Sequence, residues 1–174
     1  MHNFLWYIPT QTFFFNKIGE LQALITGEKN YIIAVTEVFP KSQQLDYNGP
    51  ELQLDGYTIF HPTKKVFTGR GCIIYIKGTL KAYQIESQET EFIEFIQAGI
   101  KTQSGSNILI SCIHRSPSAN NDDCVRELSD ILSIKKFAIP NSTAYCIWVI
   151  SILKRSTGLT KIHQLGPYTY LLSS

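Results

Sequence analysis

A single carboxylate stands near the end of the most apolar segment of the chain. Residues 31–39 (YIIAVTEVF) are almost continuously hydrophobic, which is typical of a strand covered on both faces, and Glu37 is the charged residue among them. A carboxylate at the mouth of a buried strand is a suitable ligand for a hard cation such as Mg²⁺. A glutamate that hydrogen-bonds a neighbouring loop is an equally good interpretation of this one residue.

A second candidate lies in the segment SCIHRSPS, residues 111–118, where a predicted strand runs into a proline-containing loop. His114 and Arg115 stand at that strand end, and an imidazole and a guanidinium can both hold a phosphate. A lone histidine at a strand end is also commonly structural. The other histidines, His2, His61 and His163, share no metal-ligand spacing with His114, so no histidine metal site is predicted.

Four glutamates form an acidic cluster that could supply an acid–base pair: Glu86, Glu89, Glu91 and Glu94. We interpret them instead as the solvated face of a loop and strand, with Phe92 and Phe95 turned inward. The sequence contains neither a P-loop nor a dinucleotide-binding fingerprint.

The apolar pattern predicts alternating helices and strands. Residues 16–28 carry apolar side chains at helical spacing, and strands are predicted over residues 31–39, 57–60, 72–77, 91–100 and 107–115. A further helix is predicted to begin at Asp122 and Asp123, because carboxylates stabilise a helix N-terminus. This order of elements predicts a mixed α/β domain.

Composition bounds the class of protein. The chain has 174 residues, 44% of them hydrophobic and 17% charged, with a net charge of +2. These values predict one globular domain, and the positive excess is too small to indicate a polyanion-binding protein by itself. The four cysteines form no C-x-x-C pair, so we expect thiols and an intracellular location, nucleus or cytoplasm. The longest apolar run, residues 144–153, is shorter than the ~18–20 residues of a membrane span, so no membrane anchor is predicted.

Four successive segments resemble the first half of the endonuclease domain of LINE-type, jockey-like non-LTR retrotransposons: FNKIGELQALITGEKNYIIAVTEVF, ELQLDGYTIF, TGRGCIIYIKGTLKA and NILISCIHRSPS. The likeness covers residues 16–132. That domain belongs to the endonuclease/exonuclease/phosphatase superfamily, which has the DNase I-like fold. The resemblance implies a partial, truncated four-layer α/β sandwich. It also implies DNA as the partner and Mg²⁺-dependent hydrolysis of a DNA phosphodiester as the ancestral activity.

The resemblance also assigns residues. The metal-binding Glu of the family's T-E motif falls on Glu37, and the phosphate-contacting Tyr of its I-Y-R-S-P run falls on His114, beside Arg115. The family's active-site Asn, in a run of the type N-A-R-S, falls near Thr10, where this chain reads PTQTFFF. The family's G-D-F-N and S-D-H strands have no counterpart in the sequence. The resemblance therefore implies an incomplete catalytic set and an inactive protein.

The missing motif has a possible origin in the reading frame. If each codon is started on the third base of the present one, Trp148 and Val149 together encode Gly, and the next three triplets permit Asp-Phe-Asn. We therefore hypothesise a frameshift between Leu132 and Trp148. The chain then divides into a degenerate N-terminal strand region (1–15), a partial endonuclease domain (16–132) and a divergent, frameshifted tail (133–174). Such a tail is expected to leave the second sheet without partner strands.

Two other functions remain open from the sequence. One is a residual metal-dependent phosphodiesterase that uses Glu37 with His114 and Arg115. The other is a non-enzymatic binding module that pairs with a partner through an open sheet edge. The sequence does not indicate an oligomeric state.

Overall fold

The structure is a computed structural model, and it describes residues 3–7, 18–26, 30–39, 49–62, 71–89, 93–103, 105, 107–115, 122–123, 126–127, 129–130 and 145–152. Its elements, in chain order, are β1 (Asn3–Tyr7), α1 (Ile18–Thr26), β2 (Asn30–Thr36), a short 3₁₀ helix (Pro50–Leu52), β3 (Tyr57–Phe60), β4 (Cys72–Lys77), β5 (Lys81–Glu89), β6 (Ile93–Lys101), β7 (Asn107–Arg115) and β8 (Tyr145–Ile152). Residues 122–123, 126–127 and 129–130 are helical, in the segment predicted to form the second helix.

The strands form two four-stranded sheets. The first sheet has the order β1-β2-β4-β3 and the second has the order β5-β6-β7-β8. Both sheets are mixed, because β1 pairs with β2 and β7 with β8 in parallel while the other pairs are antiparallel. The two sheets pack face to face, which confirms the α/β sandwich class.

The apolar run of β2 is buried on both faces, as its composition predicted. Ile33 and Val35 pack with Leu21 and Ile25 of α1, which lie one helical turn apart and so share one face of the helix. The alternate residues of β2 turn towards the second sheet and join a cluster with β4, β6 and β7, of which Ile32, Ala34, Ile74, Ile96 and Cys112 are members. The first sheet is therefore the layer between α1 and the second sheet.

The outer face of the second sheet is also covered. Phe95, Leu109 and Ile113 point away from the first sheet by strand alternation, and each is no more than 3% exposed. A sheet that is buried on both faces needs a layer beyond it, as in a four-layer sandwich.

The tail contributes a strand to this architecture. β8 pairs in parallel with β7 along its whole length, from Ile108 opposite Tyr145 to Arg115 opposite Ile152. The expectation that the second sheet lacks a partner strand at this edge is therefore wrong. Pairing between strands uses backbone N–H and C=O groups, which every residue except proline carries. The presence of β8 therefore does not test the frameshift hypothesis, which stays a prediction.

Two expectations from the composition concern membrane spans and cysteines. No helix within the described ranges is long and apolar enough to span a bilayer. Cys72 and Cys112 remain buried thiols between the two sheets. Cys124 lies outside the described residues, and the side chain of Cys146 does as well.

Candidate functional site

Glu37 directly follows β2 with a backbone φ of 58°, in the left-handed region. Among the residues that the structure describes, it is the non-glycine residue with positive φ. This conformation costs a residue with a Cβ about 1–2 kcal/mol. Non-glycine residues held in this region concentrate at functional sites. The chain thus leaves the strand in a strained conformation at the position predicted for a ligand.

His114 is the centre of the site. It lies on β7, on the same face as Ile110 and Cys112, and its side chain is 3% exposed between the two sheets. Its Nε2 lies 3.8 Å from Oε1 of Glu37, which comes from the first sheet. Its Nδ1 lies 3.7 Å from Oε2 of Glu94, which is its register partner on β6. The imidazole therefore separates two carboxylates, each facing one of its nitrogens.

Some buried polar atoms at this site lack close hydrogen bonds. Within the described part of the chain, neither ring nitrogen of His114 has a hydrogen-bond partner, and the buried hydroxyl of Thr36 has none either. Distances of 3.7–3.8 Å exceed the 2.7–3.2 Å of a good N–H···O bond. Buried polar groups are normally satisfied, so unsatisfied ones indicate a site whose donors are arranged for something other than stability.

Glu94 corrects one interpretation of the sequence. It was predicted to lie on a solvated acidic face, but its side chain is 12% exposed and its carboxylate faces His114. The physical reason is strand alternation, since Glu94 shares its face with Ile96, Ala98 and Ile100, which all turn towards the first sheet. The inward turn of Phe95 is confirmed in that it is buried, although on the opposite face of β6. Of the other acidic residues, Glu91 lies outside the described residues, as do the side chains of Glu86 and Glu89.

The remaining candidates are only partly placed. Arg115 is the last residue of β7, next to His114, and its side chain lies outside the described residues. Thr10, the position matched to the family's Asn, lies outside them entirely, as does Phe92. The structure therefore brings Glu37 and His114 together and adds Glu94, which sequence reasoning missed.

The described donor atoms do not fit Mg²⁺ on their own. Mg²⁺ requires oxygen ligands at near-octahedral angles, commonly from one or two carboxylates that converge on one point. Glu37 and Glu94 each face a different nitrogen of the His114 ring, so an imidazole lies beside both carboxylates. In the described part of the chain, no group of three or more His, Cys, Asp or Glu side chains could hold a metal ion.

The electrostatics of the cluster are unfavourable for a polyanion. Two carboxylates beside one imidazole carry a formal charge of −2 when the ring is neutral and −1 when it is protonated. Either charge repels a phosphodiester, because a carboxylate and a phosphate at close range in a partly buried site are poorly screened.

Comparison with known proteins places the fold. The endonuclease domain of TRAS1, a telomere-specific non-LTR retrotransposon, superimposes with a TM-score of 0.54 at 14% identity, over 86% of this chain and 58% of that domain. A mannosyl-6-phosphatase of Bacteroides thetaiotaomicron gives a TM-score of 0.59 at 9% identity, over 85% of this chain and 64% of its own. An AP endonuclease of Leishmania major gives 0.56 at 14% identity, over 86% of this chain and 54% of its own.

These structures share one architecture, although one is a phosphatase and two are endonucleases. The chain therefore has the DNase I-like fold, which confirms the fold implied by the resemblance. The chain spans less than two thirds of the length of each of these proteins. No family model matches the sequence, and no curated protein matches it either.

Proposed function

We propose that this chain is a degenerate nuclease domain, derived from the endonuclease of a non-LTR retrotransposon, that no longer hydrolyses DNA. The ancestral activity is metal-dependent cleavage of a DNA phosphodiester. The observation that carries the proposal is the place of His114, whose two ring nitrogens face Glu37 and Glu94, so that the carboxylate matched to the metal ligand lies beside an imidazole.

Retrotransposon descent is supported by two independent features. The ordered sequence segments that resemble the jockey-like family cover residues 16–132. One of the structures with the same fold is a non-LTR retrotransposon endonuclease domain. The fold is shared with phosphatases, so it is the sequence segments that favour the retrotransposon over other branches of the superfamily.

Loss of activity follows from the donor set. In the ancestor, the glutamate at the position of Glu37 holds Mg²⁺, which polarises the phosphate. Here the same carboxylate is 3.8 Å from an imidazole nitrogen, and imidazole is a poor ligand for a hard cation. Without a cation, the negative cluster repels the substrate. Catalytic roles for His114 and Arg115 therefore belong to the competing proposal of a residual phosphodiesterase.

The experiment is a plasmid-nicking assay. Supercoiled DNA is incubated with the wild-type protein or with Glu37→Ala in Mg²⁺, and the nicked fraction is followed over time on a gel. We expect the two rates to be equal and equal to the protein-free rate. Mg²⁺-dependent nicking that is lost in Glu37→Ala would show that the residual phosphodiesterase exists and that the proposal of inactivity is wrong.

A second candidate function rests on the edge of the second sheet. β5 is the edge strand opposite β8, and it exposes two large hydrophobic side chains, Tyr83 at 43% and Ile85 at 39%. An exposed strand with apolar side chains can pair with an extended peptide by strand addition. This function predicts a soluble protein that melts cooperatively, at a temperature unaffected by Mg²⁺. Insoluble expression would count against it.

The tail supports a proposal about the gene. β8 contains Trp148 and Val149, where the shifted frame encodes Gly followed by permitted Asp-Phe-Asn triplets, and it runs parallel to β7 up to the level of His114 and Arg115. A strand that carried Gly-Asp-Phe-Asn there would end beside the candidate site. Sequencing the transcript and locus from Leu132 onward tests the frameshift. A locus whose shifted frame lacks Gly-Asp-Phe-Asn would remove it.

The intracellular location, nucleus or cytoplasm, is also a proposal. It is supported by Cys72 and Cys112, which are buried thiols in the core, since cysteines stay reduced in an intracellular compartment. Fluorescence microscopy of a tagged chain tests it, with signal confined to the secretory route as the opposing result.

A further inference from the structure

The outer face of the second sheet carries a patch of two lysines, one tyrosine and one asparagine: Lys81, Lys101, Tyr83 and Asn107. Strand alternation turns these four residues away from the first sheet, because their chain neighbours Ala82, Ile100 and Ile108 pack against the core between the sheets. Lys101 is seven residues along β6 from Glu94 and hence roughly 23 Å away at the spacing of a strand. The patch is therefore separate from the candidate nuclease site.

Tyr83 lies across the sheet instead of standing upright from it. Its register partner is Gly99, which leaves room for the ring, since a Cβ at Gly99 would lie 2.5 Å from Cζ of Tyr83. The Tyr83 hydroxyl reaches over β6 and donates to Oδ1 of Asn107 on β7 at 3.3 Å. Packing on Gly99 uses only the side of the ring that faces the sheet, and the side chain remains exposed. The ring therefore offers solvent an aromatic surface in a defined position.

Two exposed lysines stand beside this ring. Lys81 and Lys101 are direct register partners across β5 and β6, and each lies two residues, roughly 7 Å along its strand, from the Tyr83–Gly99 pair. Like charges opposite each other on neighbouring strands destabilise a sheet. Neither lysine forms an ion pair with any residue in the described ranges. An anion beside both ammonium groups would relieve their repulsion.

We propose that this patch binds single-stranded nucleic acid, with one base stacked on Tyr83 and the adjoining phosphates beside Lys81 and Lys101. An unpaired base has a free face for an aromatic side chain, whereas the bases of a duplex are stacked on one another. Lysine binds phosphate as a point charge. On β5 the register places Glu86 on the other side of Tyr83, so the phosphates lie on the lysine side. This binding is independent of nuclease chemistry.

Fluorescence anisotropy with a labelled oligothymidylate of about eight nucleotides, a length typical of single-strand sites, tests the proposal. We expect saturable binding that weakens as salt is raised. Binding should be about fivefold weaker or more for an abasic oligomer of the same length, which keeps the phosphates and lacks the bases, and for a hairpin duplex. Equal or tighter binding of the abasic oligomer or the duplex, or no saturable binding of oligothymidylate, would overturn the proposal.

Two changes at Tyr83 locate the stacked base. Tyr83→Leu removes the ring at an exposed position, and we expect it to weaken oligothymidylate binding about fivefold or more. Tyr83→Phe keeps the ring and should bind within about twofold of wild type. Urea unfolding of each variant checks the fold. Unchanged affinity in folded Tyr83→Leu would contradict the assigned site.

The lysines are tested by charge removal. The double change Lys81→Gln and Lys101→Gln keeps both stems, and both residues are exposed, so the fold should persist. We expect it to weaken binding of both the oligothymidylate and the abasic oligomer and to reduce the salt dependence. Lys77→Gln, on β4 of the first sheet, is the matched control and should change binding less than about twofold. A folded double variant with an unchanged salt dependence would contradict the assigned phosphate contacts.

Discussion

Replacing Tyr75 with phenylalanine should reveal a buried hydrogen bond whose value depends on pH. Tyr75 is fully buried on β4, and its hydroxyl donates to the carbonyl of Leu52 at 2.7 Å. Tyr75→Phe removes the donor and leaves that carbonyl without it, a change that costs about 1–2 kcal/mol of unfolding free energy near pH 8. This bond joins the first sheet to the 3₁₀ helix, of which Leu52 is the last residue.

The pH dependence follows from burial, which raises the pKa of Tyr75 well above its usual value of 10.0. Above pH 10 the unfolded chain loses the phenolic proton while the folded chain retains it, so the unfolded state binds fewer protons and wild-type stability falls as pH rises. For an unfolded pKa of 10, the loss from this group is about 1.4 kcal/mol by pH 11. Phenylalanine cannot titrate and escapes this loss.

Urea unfolding of wild type and Tyr75→Phe at pH 8, 10 and 11 measures the difference directly. Taking the difference cancels the other tyrosines, including Tyr57, whose pKa is also raised by burial. We expect the wild-type advantage to shrink by about 1 kcal/mol or more between pH 8 and pH 11. An advantage that stays constant or grows over this range would refute the assigned burial and hydrogen bond of Tyr75.

Three further substitutions test other parts of the structure. Glu37→Gly should have a free energy of unfolding about 1 kcal/mol higher than Glu37→Ala, because both changes remove the carboxylate but only glycine adopts the positive φ without strain. Equal free energies from urea unfolding would contradict the strain. Gly99→Ala should cost up to about 1 kcal/mol, because a Cβ would lie 2.5 Å from Cζ of Tyr83 and the exposed ring must give up its contact with Gly99. That cost should shrink when Tyr83→Ala is also present, and a double-mutant cycle without coupling would oppose the contact. Phe95→Ala should cost about 3–5 kcal/mol by urea unfolding, since Phe95 is 1% exposed, and a loss below 1 kcal/mol would place it outside the core.

Local patterns were sufficient for the buried elements. The predicted strands 57–60, 72–77 and 107–115 agree with β3, β4 and β7, and the predicted helix 16–28 contains α1. In each of these segments the apolar residues recur at the spacing of a helix or a strand, and this pattern is visible within the segment itself. The strand predicted over 31–39 ends earlier, at Thr36, because the positive φ of Glu37 takes the chain out of the sheet.

The apolar pattern did not predict β1, β5 or β8, although the resemblance made residues 1–15 a degenerate strand region, and residues 145–152 belong to the predicted frameshifted tail. β5, KAYQIESQE, is a polar edge strand, and a register shift between Gln84 and Glu86 leaves Ile85 outside the pairing, so no apolar alternation marks it. β1 owes its assignment to parallel pairing with β2, a long-range contact across α1. Edge strands depend on their neighbours, which a single sequence does not show.

Two of the three residues of the candidate site could be predicted from the sequence, and the third could not. Glu37 and His114 could be predicted because each ends an apolar run, where a polar residue stands out. Glu94 could not, because three other glutamates within eight residues suggested a solvated surface. The apolar residues Ile96, Ala98 and Ile100 alternate along the strand in phase with Glu94, and this pattern would have predicted that Glu94 faces the first sheet. Its contact with His114 comes from β6–β7 register, which only the folded sheet defines.

The most direct test of the proposed loss of activity is a crystal structure of the wild-type protein soaked in Mn²⁺, a stand-in for Mg²⁺ that is visible by anomalous scattering. The account predicts His114 between Glu37 and Glu94, with no anomalous peak within coordination distance of the Glu37 carboxylate. A Mn²⁺ peak bound by Glu37, with His114 displaced from between the carboxylates, would contradict it and restore a metal-dependent nuclease site.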